Sequence, residues 1–306
     1  MTLVVAKRGV GLRTLVRNLL LASALLSAQA PAVAASDRFT EGLLFRISKP
    51  GAPPSFVFGT VHVADPRVLD LAAPVRDAFA SARAFAPELG TDTLVDPRLE
   101  DAELLGDGKT LAALVGQDAF GDLETRLAAQ GVPRSAALRL KPWAAMLKIS
   151  RAPPVAGAIT LDAMLLDEAR TRRMRIVSLE WVDEQIAAFD GIPLATQVAL
   201  LRHVLANREA LAAEGSAIVD AWLRRDLAGI GRLAEDAGRR YPAVARDYRT
   251  LARHIITNRT VLMHHRLVLP LREGRVFVAI GASHLPGEEG LLRMLERDGY
   301  TVTRVW

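Results

Sequence analysis

The sequence predicts an α/β fold, a mixed central sheet with strands from both chain ends and a large helical insertion. Three observations carry this. Short apolar runs of strand length lie near the start of the folded chain, at 43–47, 56–58 and 84–89, and again near its end, at 276–280 and 301–305. One more, at 175–180, stands alone in the middle. Between them, from about 105 to 270, apolar residues recur mostly at helical spacing.

Taken in order, Leu43-Leu44-Phe45-Arg46-Ile47 reads as a strand and Gly51-Ala52-Pro53-Pro54 as a turn. Phe56-Val57-Phe58 then returns antiparallel as the second half of a hairpin. Asp65-Pro66 has the chemistry of a helix start, an acidic cap followed by proline, and predicts one helix to about Arg83. Ala84 to Leu89 is the third strand, and Pro87, which has no N–H to donate, suits an edge or the end of that strand. Leu111, Leu114, Val115, Phe120, Leu123 and Leu127 keep near-3.6 spacing. Lys141-Pro142-Trp143 opens another helix, and Thr160-Leu161-Asp162 leads into one over 163–172. The basic cluster that ends the latter complements a helix carboxyl end. Arg175 to Glu180 is the next strand, with a helix through Asp183-Glu184-Gln185 after it. The stretch 194–269 is helical again; strand 276–280, helix 289–298 and strand 301–305 close the chain. Nothing in the pattern argues for a second independent core.

The 306 residues, half of them hydrophobic, suffice for a large packed core and exclude a disordered chain. The net charge of +5 is lopsided. Lys7, Arg8, Arg13 and Arg17 precede the first acid, Asp37, and lead into the apolar run 19–26 and then Ala30-Pro31-Ala32-Val33-Ala34-Ala35. This is the three-part pattern of a secretory signal peptide over 1–35, cleaved near Ala34 or Ala35. Its apolar stretch is shorter than the roughly 20 residues of a membrane span, so no stable span is expected after cleavage. Without it Lys+Arg falls from 39 to 35 against 34 Asp+Glu, which leaves no reason to expect nucleic-acid binding. The expectation is a periplasmic or secreted protein whose residues 36–306 form one α/β domain with a helical cap.

Two motifs of one shape carry the chemistry. Gly59-Thr60-Val61-His62 follows one strand and Gly281-Ala282-Ser283-His284 follows another. In an open α/β sheet ligands bind outside the carboxyl ends of the strands, so two histidines delivered there can converge. Glu88 ends a third strand. Two imidazoles and a carboxylate match the ligand chemistry of a divalent transition metal. Read singly, each histidine is more simply a capped, hydrogen-bonded structural residue. His203, His254, His264 and His265 lie on helices without a matching carboxylate repeat and read as non-site residues. Trp143, Trp181 and Trp222 read as core or cap packing. Gly-x-Ser-x-Gly and His-Glu-x-x-His are absent, which argues against a serine-hydrolase elbow and a helix-borne zincin site.

Phe58-Gly59-Thr60-Val61-His62-Val63 resembles the amino-terminal signature of the TraB/GumN family, which includes the TIKI-like metalloproteases. Val278 to Gly287 resembles its carboxyl-terminal signature. Leu179-Glu180 with Glu184-Gln185 is similar to an internal Gly-Leu-Glu-Thr segment and the Glu-Gln after it. The resemblance spans about 41–306. It implies that His62, His284 and Glu88 hold a divalent metal, Mn2+ or Co2+. It also implies that Glu88 and Arg259 act in catalysis; Glu180 reads either as orienting a histidine or as the cap of the helix after it. The implied activity is that of an exported metal-dependent hydrolase, most simply a peptidase acting on a peptide or other small exported substrate. The alternative is a catalytically silent periplasmic binding protein of the same fold that sequesters a peptide or assists polysaccharide export. Asn258-Arg259-Thr260 departs from the commoner Glu-Arg-Asn, leaving the polar partner of Arg259 unassigned.

Overall fold

A computed structural model describes residues 38–90, 98–106, 108–150 and 159–306, and the side chains of these except at 234–237. The amino-terminal segment, with the expected cleavage at Ala34 or Ala35, lies outside the described residues. Among the described residues six strands form one sheet in the order β4-β3-β5-β2-β1-β6. They are β1 (Leu44–Ser48), β2 (Ser55–Thr60), β3 (Ala84–Pro87), β4 (Arg175–Ile176), β5 (Val276–Gly281) and β6 (Thr301–Arg304). β1 and β2 form the expected antiparallel hairpin, and β6 adds antiparallel to β1. β2, β5, β3 and β4 are mutually parallel. The sheet is therefore mixed and draws on both chain ends, as the α/β pattern predicts.

The parallel core explains the sequence of β5. A strand covered on both faces has no solvent side to alternate with, and every residue of Val276–Gly281 is buried. Phe277 sits among Phe58, Phe79 and Phe85, at ring-centroid distances of 6.0, 5.1 and 6.4 Å. Pro87 is the last residue of β3, consistent with the expectation that proline ends the strand. β4 is shorter than its apolar run suggests. Past Ile176 only single contacts continue, Val177 and Leu179 donating their N–H groups to Phe85 and Pro87 and Glu180 to Glu88.

The helix expected from Asp65 to Arg83 is two helices, α1 (Pro66–Leu69) and α2 (Ala73–Ser81). Pro74 marks the break: with no N–H and a ring that crowds the carbonyl one turn back, it sits in the first turn of the new helix, where neither costs a hydrogen bond. Asp65 does cap α1, accepting from the Arg67 N–H.

The intervening chain is helical: α3 (Arg98–Ala102), α4 (Leu111–Val115), α5 (Gln117–Ala129), α6 (Arg134–Ala137), α7 (Pro142–Ile149) and α8 (Leu161–Thr171), then, after β4, α9 (Val182–Asp190), α10 (Leu194–Ala206), α11 (Arg208–Leu223), α12 (Leu227–Arg240), α13 (Ala245–Ala252) and α14 (Asn258–Glu273). A π turn, Arg253–Thr257, joins the last two, and α15 (Leu291–Arg297) precedes β6. A second hydrophobic cluster exists apart from the sheet core, built on Leu123, Leu127, Trp143, Leu147, Leu200 and Ile255. Apolar spacing shows that each helix has a face to bury; it does not show that α5, α7 and α10 bury theirs on one another. Among the described residues no helix is long and apolar enough to cross a membrane.

Candidate metal centre

Because β2, β3, β4 and β5 run parallel, their carboxyl ends share one edge of the sheet. Register makes this specific: Gly59 pairs with Ile280 and Thr60 with Gly281, so the two Gly-x-x-His motifs leave neighbouring strands side by side. His62 follows β2, Glu88 follows β3, Glu180 follows β4, and His284 lies in the 3-10 turn Ala282–His284 after β5. Arg259 comes from α14. All five are buried.

The two motif glycines serve different ends. A Cβ on Gly59 would meet the Leu285 side chain at 2.7 Å, so that glycine permits packing. A Cβ on Gly281 would stand 3.0 Å from His62 Nε2 and 3.3 Å from Glu88 Oε1. The second glycine keeps open the space between the chemical groups.

Glu88 is the hub. Its Oε1 accepts the Gly281 N–H at 2.7 Å and lies 3.6 Å from His62 Nε2 and 3.9 Å from His284 Nε2. Its Oε2 accepts from Arg259 at 2.7 Å. Arg259 forks on Glu180, with contacts of 2.8 and 2.5 Å, and gives a further hydrogen bond to the Ile255 carbonyl at 3.1 Å. Gln185 also donates to Glu180, at 3.2 Å. Arg259 thus finds its partners across the sheet edge, in Glu88 and Glu180, instead of in its sequence neighbours. Glu180 touches Arg259 and no histidine among the described contacts, so it orients the arginine.

Two groups completing the site are absent from the sequence-based set. Asp162, in the first turn of α8, accepts from His62 Nδ1 at 2.8 Å through Oδ2 and from the Thr60 hydroxyl at 2.7 Å through Oδ1. Thr260 lies 2.7 Å from His284 Nδ1 through Oγ1. Both Nδ1 atoms are thereby engaged, and both Nε2 atoms are buried without a hydrogen-bond partner. A signal for Asp162 existed. Thr160 already caps α8, accepting from the Ala163 N–H, so the acid two residues on is not needed as the cap.

The electrostatics separate the two rings. Burial disfavours charge on His62, but the Asp162 and Glu88 carboxylates outweigh it and push its pKa up to about 10. Burial pushes His284 down to about 3, against Glu88 but with the charges of Arg259 and His62. Burial would also raise Glu88; Arg259 and the histidines overcome it and hold Glu88 well below the usual carboxylate range. Glu180 is lifted by burial and by the Glu88 charge, with Arg259 opposing. At neutral pH and without metal, the site holds an imidazolium at 62, a neutral imidazole at 284 and an ionised Glu88.

A profile of the TraB/PrgY/gumN family matches residues 43–304. The chain belongs to the TraB/PrgY/gumN family. No curated protein and no solved structure matches it. Both Gly-x-x-His motifs, Glu88, Asp162, Glu180 and Arg259 fall inside the stretch that matches the TraB/PrgY/gumN family.

The donor atoms of this TraB/PrgY/gumN chain can be compared with those a divalent cation takes. Two unpartnered Nε2 atoms approach one carboxylate oxygen, and at 3.6 and 3.9 Å both contacts are too long for hydrogen bonds. Each ring is held from behind at Nδ1, which is how metal-binding histidines are oriented. The space that a Cβ on Gly281 would fill lies between His62 and Glu88. Nitrogen, nitrogen and carboxylate oxygen suit a first-row divalent ion. Among the described residues, however, no group of three or more His, Cys, Asp or Glu is placed to hold a metal ion.

The other aromatic and histidine residues lie elsewhere. Trp143 and Trp222 are core residues, the latter donating from Nε1 to the Gly59 carbonyl at 2.9 Å. Trp181 departs from the core expectation: it precedes α9 and is 54 % exposed, with the Arg266 guanidinium over its ring. Asp183 and Glu184 are first-turn residues of α9, and the Glu184 carboxylate accepts the Trp181 N–H at 2.7 Å. His264 bonds Asp298, and His203 packs edge-on to Tyr241 and Tyr248.

Proposed function

We propose that this protein is an exported divalent-metal-dependent hydrolase, acting on the amide bonds of a peptide with Mn2+ or Co2+. One observation carries the proposal: the buried, unpartnered Nε2 atoms of His62 and His284 face the same oxygen of an ionised Glu88. His62, His284 and Glu88 would hold the ion. When bound, the cation supplies Lewis acidity, polarising a carbonyl and making water acidic near neutral pH.

The chain's own groups supply the rest. Arg259 anchors Glu88 Oε2 and directs Oε1 at the histidines. If Glu88 does not ligate the ion, Oε1 would instead take a proton from water, the general-base step that hydrolysis requires. Asp162 holds the His62 proton at Nδ1, away from the reacting side. The resemblance implies a catalytic role for Arg259. Four hydrogen bonds to Glu88, Glu180 and Ile255 favour a positioning role for it instead. The test is a peptide-library cleavage screen of the mature protein with MnCl2 or with chelator. Metal-dependent cleavage that His62→Ala and His284→Ala abolish supports the proposal; no cleavage under any metal condition removes it.

The second reading is a silent binding protein of the same fold. The burial of the site favours it, since His62, Glu88 and His284 are 3, 4 and 0 % exposed and a substrate has to reach them. Specific peptide binding without turnover in the same screen is the outcome that selects it.

A further inference from the structure

We propose that Thr260 is the positioning residue for His284: its hydroxyl fixes the ring proton on Nδ1 and keeps the Nε2 lone pair bare toward Glu88. The inference deepens the metal-centre reading and rests on it for its consequence. The proton assignment itself stands on hydrogen bonding alone.

A threonine hydroxyl has one proton to give. Thr260 Oγ1 lies 2.8 Å from the Ile256 carbonyl oxygen, which only accepts, so that proton is spent there. Toward His284 Nδ1, at 2.7 Å, the same oxygen is left to accept. The ring must therefore donate from Nδ1. The opposite arrangement has the hydroxyl donate to Nδ1 and the ring proton sit on Nε2. It leaves an N–H buried with its nearest carboxylate oxygen 3.9 Å away, beyond hydrogen-bond range. An unmet buried donor forfeits its hydration with nothing in return. The first arrangement wins.

The backbone before α14 makes this possible. In the π turn Arg253–Thr257 the Asn258 N–H reaches back five residues to the Arg253 carbonyl. Directly after the turn, consecutive residues Arg259 and Thr260 are both buried, and each meets a carbonyl of the turn, Ile255 and Ile256 respectively. One side chain then serves Glu88 and the next serves His284. Single-turn π bulges occur often at functional sites, and this one holds two adjacent site residues. Thr260 is thus the histidine's proton acceptor.

The test uses the metal-free, full mature chain with 15N-labelled histidine. Multiple-bond 1H–15N spectra at pH 7 report which ring nitrogen carries the proton, and the His284 signals are those lost in His284→Gln. The expected wild-type result is a protonated Nδ1 and a bare Nε2. Thr260→Ser keeps that pattern; Thr260→Val, which matches the shape but has no hydroxyl, shifts population toward the Nε2–H form. Calorimetric titration with MnCl2 should show at least tenfold weaker binding in Thr260→Val and at most twofold in Thr260→Ser. An unchanged pattern and affinity in Thr260→Val overturns the proposal while leaving the metal centre standing. A wild type that binds no Mn2+, but whose ring proton moves in Thr260→Val and not in Thr260→Ser, upholds the role of Thr260 and removes the metal centre instead.

Discussion

His62 Nδ1 lies 2.8 Å from Asp162 Oδ2, a hydrogen bond closed across 100 positions of chain. It joins the end of a central strand to the first turn of α8 and leaves the other ring nitrogen facing Glu88. Removing the acceptor frees the ring. Asp162→Ala is expected to weaken Mn2+ binding by about 10–100-fold, the usual cost of losing the partner behind a metal-binding histidine. Asp162→Asn keeps a polar partner without the charge and should fall between. Isothermal titration of the three proteins checks the order; equal affinities would refute the role of Asp162.

Arg259 is the only counter-charge that bonds both Glu88 and Glu180 among the described contacts. Arg259→Ala leaves two buried carboxylates facing one another, a loss of about 3–5 kcal/mol in urea unfolding. Arg259→Lys restores charge but not the planar fork, and should recover only part. The exposed pair Arg170–Asp167 is the control: Arg170→Ala should change stability by about 0.5 kcal/mol or less.

Gly281 has φ −53° and ψ 133°, a backbone that alanine adopts freely. Its substitution therefore tests space within the site. Gly281→Ala should retain the fold by circular dichroism yet lose Mn2+ affinity at least tenfold, because the new methyl stands 3.0 Å from His62 Nε2. Unimpaired binding would show that the ion, if any, sits elsewhere.

The two histidines predict a stability maximum near their unfolded pKa of about 6.5 in metal-free protein. His62, raised to about 10 when folded, contributes stability that is fully present below pH 6.5 and is lost as pH rises through 10. His284 is lowered to about 3, so the unfolded chain binds the extra proton between pH 6.5 and 3 and stability falls as pH drops through that window. Thermal melts in chelator across pH 3–10 should show both limbs, and His62→Gln should lack the alkaline one. Metal uptake at pH 7 must expel the second His62 proton, so its heat should depend on the ionisation enthalpy of the buffer.

Much of this architecture is legible before folding. Val276–Ile280 reads as a strand covered on both faces, and the hairpin from Leu43 to Phe58 reads directly from its turn. The edge on which His62, Glu88 and His284 meet follows from the rule for parallel strand ends. The neighbouring of β2 and β5 does not, because strand order is a tertiary choice that no local pattern encodes. The signal at Asp162 is weak for a different reason: Thr160 relieves it of the capping role, but an acid in a first helical turn still has a local explanation in the helix dipole. Thr260 is hidden because its value depends on a π turn, and neither the turn nor the direction of a hydroxyl proton is written in apolar spacing. The break before Ala73 was readable from Pro74, whose missing N–H disfavours a continuous helix there.

The most direct test is calorimetric titration of the mature wild-type protein with MnCl2 and CoCl2, beside His62→Ala, His284→Ala and Glu88→Gln. The expected result is one ion per chain in the wild type and none in either histidine variant, with Glu88→Gln strongly weakened. Wild-type protein that takes up no ion at millimolar concentration, or variants that bind as well as the wild type, would contradict a metal centre between His62 and His284.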